Sequence, residues 1–209
     1  MLHILGMPRK TQEKPAESLE ERRQARETRI VDAVVELAEE GGFEAVRSRT
    51  ICTRAEVTMG TLYRHFSSIE EILLYAFARD FGVFEEGFPE SGIPGDTAAV
   101  RLGLLFRGLT DTLVARPLFA RAVVRAIASG QSKALERVGD LDAMLQVYIE
   151  AAWLGVGPGA REDTSTPESR LVASTLERVW FSLMIGWAAS MKDVDEVVSE
   201  LSQTVALFG

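Results

Sequence analysis

Between positions 48 and 66 the chain has room for two helices of about seven residues each, with only Ala55, Glu56 and Val57 between them. Helices that short do not survive alone in water, because nucleation fixes several dihedrals for a single hydrogen bond. They need a longer partner to cover their apolar sides. Residues 22–40 supply it, placing Ile30, Val34, Leu37 and Ala38 on one face before Gly41-Gly42 closes the helix. Phe43, Val46, Ile51, Val57, Leu62 and Phe66 then provide the packing of a three-helix unit. A fourth helix follows, with Ser67 or Ser68 as N-cap and Glu70 and Glu71 in its first turn, where the helix dipole favours acids. Its apolar stripe runs through Ile72, Leu73, Ala76 and Phe77 towards Phe84.

No later segment shows the period-two alternation of a half-buried strand. Pro89, Gly92, Pro94 and Gly95 mark a loop between 86 and 96. Helices are expected at 96–116, capped by Asp96, at 117–129, opened by Pro117, and at 134–154, before a loop holding Gly155, Gly157, Pro158 and Gly159. Two more are expected at 167–191 and 193–207. The fold class is therefore all-α, with about nine helices: a tail over 1–21, a three-helix head over 22–68 and a helical body over 69–209. Within 173–189, Leu176, Trp180, Leu183 and Trp187 form one apolar stripe, while Val179, Ile185, Ala188 and Ala189 cover another side. A helix apolar nearly all round is buried all round. In a body this small, one side meets the core and the other meets a second copy of the chain, the alternative being a central helix of a monomer.

The composition, 46% hydrophobic and 26% charged over 209 residues, is that of a folded globule with a sizeable core. The lone Cys52 forms no intramolecular disulfide, the opening Met-Leu-His-Ile-Leu is too short for a secretory leader, and no apolar run approaches the roughly 18 residues of a membrane span. A cytoplasmic protein without membrane contact is expected. Met7, which opens a polar stretch to Glu17, is an alternative start to Met1.

A net charge of -8 argues against a chain coated in basic residues. From 47 to 66, however, Arg47, Arg49, Arg54 and Arg64 oppose the single acid Glu56, a local net of +3. The second short helix has Thr58 as N-cap. Its Leu62 and Phe66 face inward, leaving Met59, Gly60, Thr61, Tyr63, Arg64 and His65 outward. Small, polar and basic side chains around free N-terminal amides suit a helix entering the major groove of DNA. Upstream, Arg22, Arg26 and Arg29 share one face; they contact phosphates or pair with Glu27 and nearby acids on a solvated surface.

Other chemistry is scarce. The only histidines are His3, in the tail, and His65, so no metal ligand set exists and no cofactor is expected. Cys52 sits where a small buried side chain is wanted and reads as inert. The glycines at 155, 157 and 159 follow a helix and lack the Lys-Ser/Thr of a phosphate loop. A small helical enzyme acting on acyl-CoA or lipid would need a nucleophile–base pair, a metal cluster or a nucleotide loop, and the chain has none. Phe106, Leu109, Leu113, Met144, Tyr148, Trp180, Phe181 and Met184 are the candidate lining of a cavity for an apolar ligand.

The first 75 or so residues resemble the DNA-binding domain of the TetR family of transcriptional repressors. The likeness rests on the helix from Ile30 to Ala38, the connector Gly42-Phe43-Glu44-Ala45, Ile51, and Gly60-Thr61-Leu62-Tyr63 with Phe66. It implies that Thr58, Met59, Gly60, Thr61, Tyr63, Arg64 and His65 touch DNA, chiefly phosphates, with Arg49 and Thr50 contributing from the preceding helix. It further implies a homodimer through the last two helices, a pseudo-palindromic operator and release by an apolar effector. A constitutive DNA-binding dimer, or a multidrug-type repressor with a promiscuous pocket, are the alternatives. Two positions depart from the family pattern: Glu56 stands in the turn, where glycine is usual, at a cost of about 1 kcal/mol if the backbone is left-handed there, and Arg47 stands where threonine is usual. The runs 101–102, 116–118 and 121–126 and Val179-Trp180-Phe181-Ser182-Leu183 with Trp187 are similar to the branch that represses cholesterol catabolism in mycobacteria and rhodococci. That likeness implies a steroid-derived or fatty acyl-CoA thioester as effector.

Overall fold

Ser18 starts the first helix. Its hydroxyl accepts from the Glu21 amide at 3.1 Å, while the Glu21 carboxylate accepts from the Ser18 amide at 2.6 Å, closing a capping box. The helix, α1, therefore runs Leu19–Ala45 and begins inside the tail expected to reach residue 21. In the computed structural model the described residues are 18–129 and 132–208, without the side chains of 83–86, 132–138 and 140. The rest of the tail, with His3 and both candidate starts, lies outside them. Gly41-Gly42 breaks the helix as the sequence leads one to expect: the backbone leaves helical geometry at both, with Gly42 at φ 63, before a short helical turn to Ala45.

The helices α2 (Ser48–Arg54) and α3 (Met59–His65) stand where the spacing puts them. Val46, Ile51, Leu62 and Phe66 are buried against Ile30, Val34, Leu37 and Ala38 of α1, with Phe43 and Val57 half-buried beside them. Arg29 closes the end of α2 by donating from Nε to the Ala55 carbonyl at 3.3 Å. Its role is structural. Glu56 follows at φ 54, so the left-handed turn is made by a residue with a Cβ.

The fourth helix, α4 (Ile69–Glu86), is capped by Ser68, whose hydroxyl accepts from the Glu71 amide at 3.1 Å. It begins in the head core, through Ile72, Leu73, Leu74 and Ala76, and reaches the body core with Phe81. The body adds α5 (Ala98–Val114), α6 (Pro117–Ala128), α7 (Ser132–Leu154), a 3-10 turn at Pro158–Ala160, α8 (Pro167–Ala188) and α9 (Val194–Ala206). Among the described residues there are thus nine α-helices and no strand. Thr97, not Asp96, caps α5 by accepting from the Val100 amide at 3.3 Å. The eighth helix stops at Ala188, short of the expected 191, and Ser190 then turns left-handed at φ 59. Leu176, Trp180, Leu183 and Trp187 all lie in the body core, where the Trp180 indole donates to the Thr110 hydroxyl at 3.0 Å.

The loop after α4 crosses the loop after α7 at two glycines. A Cβ at Gly157 would stand 1.8 Å from the Glu90 carbonyl oxygen, and one at Gly92, whose φ is +89, would stand 2.4 Å from that of Val156. Arg101 clamps the crossing, donating to the carbonyls of Ala152 at 2.7 Å, Trp153 at 2.9 Å and Gly95 at 2.9 Å. Gly157→Ala is expected to lower stability by about 1–3 kcal/mol, because the loops must separate to admit the methyl; urea denaturation measures it, and an unchanged midpoint contradicts the crossing. Glu56→Gly is expected to do the opposite, raising stability by about 0.5–1 kcal/mol, relief of the left-handed strain outweighing the added freedom of the unfolded chain.

Candidate nucleic-acid interface and adjoining cavity

The outward side of α3 is built by its own cap. Thr58 accepts from the Thr61 amide at 3.1 Å, and the two hydroxyls stand 3.0 Å apart. Tyr63 is 54% exposed, and its phenol is held 2.9 Å from the Ser48 hydroxyl, tying α3 to the start of α2. Met59 and Gly60 are exposed, as are Arg49 and Thr50 on α2. Arg47, the N-cap of α2, makes no side-chain cap bond, so the first-turn amides of α2 face outward beside Tyr63. These groups form one continuous surface of hydroxyls, amides and small side chains.

The four arginines of this stretch are not equivalent. Arg54 is gripped by Glu36 at 3.0 Å and Glu40 at 3.0 Å, and Arg47 pairs with Glu44 at 2.5 Å. Arg49 and Arg64 have no ion-pair partner among the described residues and carry the positive field of the surface. His65 departs from expectation. It lies three residues after Leu62, on the inward side of α3; its side chain is 5% exposed, with Nδ1 3.8 Å from a Glu27 carboxylate oxygen. Its ring packs between α1 and α3, turned away from the outward surface where the sequence puts it. The Cys52 thiol donates to the Met59 sulfur at 3.4 Å, and burial pushes its pKa up, away from reactivity.

Behind the head, α6, α7 and α8 enclose a cavity of about 170 Å³. Of the expected lining residues, Leu113, Trp180, Phe181 and Met184 face it. Leu109 lines a smaller adjoining hollow of about 30 Å³, which shares Phe77, Leu113 and Trp180 with the first. Three expected residues are placed elsewhere. Phe106 packs on Trp180 with ring centres 6.2 Å apart, Tyr148 lies between Phe88 at 4.6 Å and Phe81 at 6.1 Å, and Met144 is half-buried against the body core. Tyr148 sits one turn beyond the stretch of α7 that borders the cavity, and Met144 is turned about 100° from Leu145. The remaining apolar wall comes from Val123, Val124 and Ile127 of α6 and Leu141 and Leu145 of α7.

Sequence reasoning missed the polar part of this wall, formed by Asp142, Glu177 and Arg178. The signal was present: Asp142 lies three residues before Leu145, and Glu177 four after Ala173, each on an apolar stripe. Glu177 is 5% exposed. Burial, and then the neighbouring Asp142 carboxyl, push its pKa up to about 7, against the opposing pull of Arg178; burial raises Asp142 as well. Among the described residues no cluster of His, Cys, Asp and Glu could hold a metal, and no helix is long and apolar enough to cross a membrane.

Residues 30–76 match the family described as bacterial regulatory proteins, tetR family, and residues 95–208 match the tetracyclin repressor-like C-terminal domain. The chain is 30% identical over 182 residues to the HTH-type transcriptional repressor KstR of Rhodococcus jostii, covering 87% of this chain and 82% of that one. With the KstR repressor of Mycobacterium tuberculosis the identity is 28% over 187 residues, covering 90% and 82%. A TetR transcriptional regulator from Rhodococcus sp. RHA1 superposes with a TM-score of 0.75 at 20% identity over 89% of this chain and 96% of that one, a likeness of fold. The relatives and the fold are those of transcriptional regulators, not of enzymes.

Because the folded chain holds the Glu177 proton to about pH 7 and the unfolded chain loses it near the ordinary carboxylate value, this group costs stability increasingly as pH rises through that window. Glu177→Gln, which cannot ionise, is expected to match the native protein near pH 5 and to exceed its stability by about 1–3 kcal/mol at pH 8. Thermal denaturation across pH 5–8 measures the difference, and a gap that does not widen with pH contradicts the burial of a titrating carboxyl.

Proposed function

The chain belongs to the TetR family of bacterial transcriptional repressors, and on that premise we propose that it is a homodimeric, ligand-responsive repressor that an apolar effector releases from a pseudo-palindromic operator. The observation that carries this reading is the double duty of α6. Phe119, Ala122 and Ala126 pack in the head core, while Val123, Val124 and Ile127 border the cavity. Arg116, at the start of α6, bonds to Asp80 of α4 and to Glu39 of α1 at 3.3 Å. Arg125, near its end, reaches Glu44 at 2.7 Å and stacks 4.2 Å over Phe43. Whatever moves α6 moves the head.

The cavity, at about 170 Å³, is smaller than the roughly 300–1,000 Å³ of a site for a drug-sized ligand. A steroid-derived or fatty acyl-CoA thioester, the class implied by the resemblance to the cholesterol-catabolism branch and supported by the apolar lining, fits only if α6, α7 and α8 part. Such a ligand binds the parted state better, which is the differential affinity an effector requires. Coupling of about 1–3 kcal/mol then weakens operator binding roughly 5- to 150-fold. Dimerisation is supported by the outer side of α8, where Leu171 is 65% and Ile185 41% exposed and Ala189 lies open. A two-fold axis there sets two α3 helices towards successive major grooves, about 34 Å apart on the duplex. A repressor acting on operator DNA in this way would work in the cytoplasm.

Gel shifts with DNA flanking its own gene test this reading. Arg49→Ala and Arg64→Ala are each expected to weaken binding and to reduce the slope of log affinity against log salt by about 0.9, one phosphate contact apiece. Tyr63→Ala is expected to weaken binding about tenfold, by loosening α3 from α2. Affinity and slope unchanged in all three variants would overturn the assigned surface. Operator binding indifferent to steroid and fatty acyl-CoAs would favour constitutive repression.

A further inference from the structure

One side of the cavity is polar, and nothing in the DNA-binding reading uses it. Asp142 of α7 and Glu177 of α8 both line that wall, with Arg178 alongside, and Glu177 is almost wholly buried. Two carboxyls side by side at a largely apolar cavity disfavour each other's charge, so the pair keeps a proton near neutrality. A pair holding one proton carries one negative charge, which the Arg178 guanidinium balances. The wall is therefore neutral overall, yet it both donates and accepts. The rest of the lining, including Val124, Leu141, Phe181 and Met184, is apolar.

We propose that the Asp142–Glu177 pair is the polar recognition element of this cavity and selects a ligand whose buried end carries a neutral oxygen function, a hydroxyl or ketone, while rejecting a free carboxylate. A hydroxyl donates to the open lone pairs of the pair; a ketone accepts the pair's proton when the carboxyl turns towards it. A wall without net charge cannot repay the desolvation of a carboxylate or of an ammonium brought into a dry site. The elevated carboxyls of Glu177 and Asp142 agree with a proton kept in the pair near neutrality. The inference rests on the effector cavity of the proposed function, but not on operator binding or dimerisation. For an acyl-CoA thioester it concerns the end remote from the nucleotide, whose charges stay outside.

A cavity near 170 Å³ is comparable with the roughly 150 Å³ engineered cavity that binds benzene, so single-ring probes suffice. Cyclohexylmethanol, methylcyclohexane, cyclohexanecarboxylate and cyclohexylmethylamine share one skeleton. Their binding to the full-length native chain is measured at pH 7.5 by calorimetry and by the change in tryptophan emission, to which Trp180 in the cavity wall contributes. The alcohol is expected to bind at least about tenfold tighter than the carboxylate and the amine. In the shape-conserving variant Asp142→Asn/Glu177→Gln the carboxylate penalty should shrink. In Asp142→Leu/Glu177→Leu, checked for native helix content, the alcohol should weaken about tenfold while methylcyclohexane does not. Carboxylate or amine binding as tight as the alcohol overturns the inference, as does equal loss of alcohol and hydrocarbon in the leucine variant. Failure of all four probes while acyl-CoA still releases operator DNA overturns it and leaves the repressor reading standing. Selective alcohol binding without any effect of acyl-CoA on operator binding does the reverse.

Discussion

The architecture turns on one packing constraint: α6 has to satisfy two cores at once. Phe119, Ala122 and Ala126 complete the head, whose two seven-residue helices cannot stand alone, while Ala120 belongs to the body and Val124 borders the cavity. Burial of each large apolar side chain contributes about 1.5–3 kcal/mol, whereas the exposed pairs made by Arg116 and Arg125 contribute at most about 1 kcal/mol each. Apolar contact therefore sets how firmly α6 holds the head, and the arginines set its register. Close-packed interiors have discrete arrangements and do not deform smoothly. A displaced α6 consequently carries α1 along with it.

The charge distribution follows the same economy. The chain is acidic overall, at -8, so long-range attraction to a polyanion exists only where the acids have been neutralised locally. Glu36, Glu40 and Glu44 hold Arg54 and Arg47 along the edge of the head, leaving Arg49 and Arg64 as the cations of the α2–α3 surface without an ion-pair partner among the described residues. The exposed ion pairs are weak enough for phosphate to replace the acids, and strong enough to keep these long side chains lying across the head. Two such arginines flanking hydroxyls and amides make a surface that holds DNA by position as much as by charge.

What could be read from the sequence depended on how local the signal was. The bounds of α2 and the Thr58 cap of α3 come from punctuation within a few residues, and the structure reproduces both. The true start of α1 was equally local: Ser18 and Glu21 have the spacing of a capping box, obscured by the charged run that follows. His65 was misplaced because polarity was weighed above position, although Leu62 and Phe66 already defined the inward side of so short a helix. The cavity was harder. Trp180, Phe181 and Met184 line it and Phe106, Met144 and Tyr148 do not, and that difference depends on where α5, α7 and α8 cross along their lengths, information held by no single helix.

The acid pair across α7 and α8 sets two carboxyls into a seam that is otherwise apolar. Two leucines in place of Asp142 and Glu177 would extend the apolar seam between the helices, and replacing buried charged groups by well-packed hydrophobic ones is often neutral or stabilising. The pair is thus a cost to the folded chain, carried at the one stretch of the seam that faces a cavity. Above and below it the contact is apolar, with Leu145 and Ile149 on α7 and Ala173, Leu176 and Trp180 on α8 buried in the body core. Buried carboxyls retained against stability mark places where function, and not folding, sets the residue. In this chain that place opens towards α6, which bears on the DNA-binding head from the other side of the same cavity.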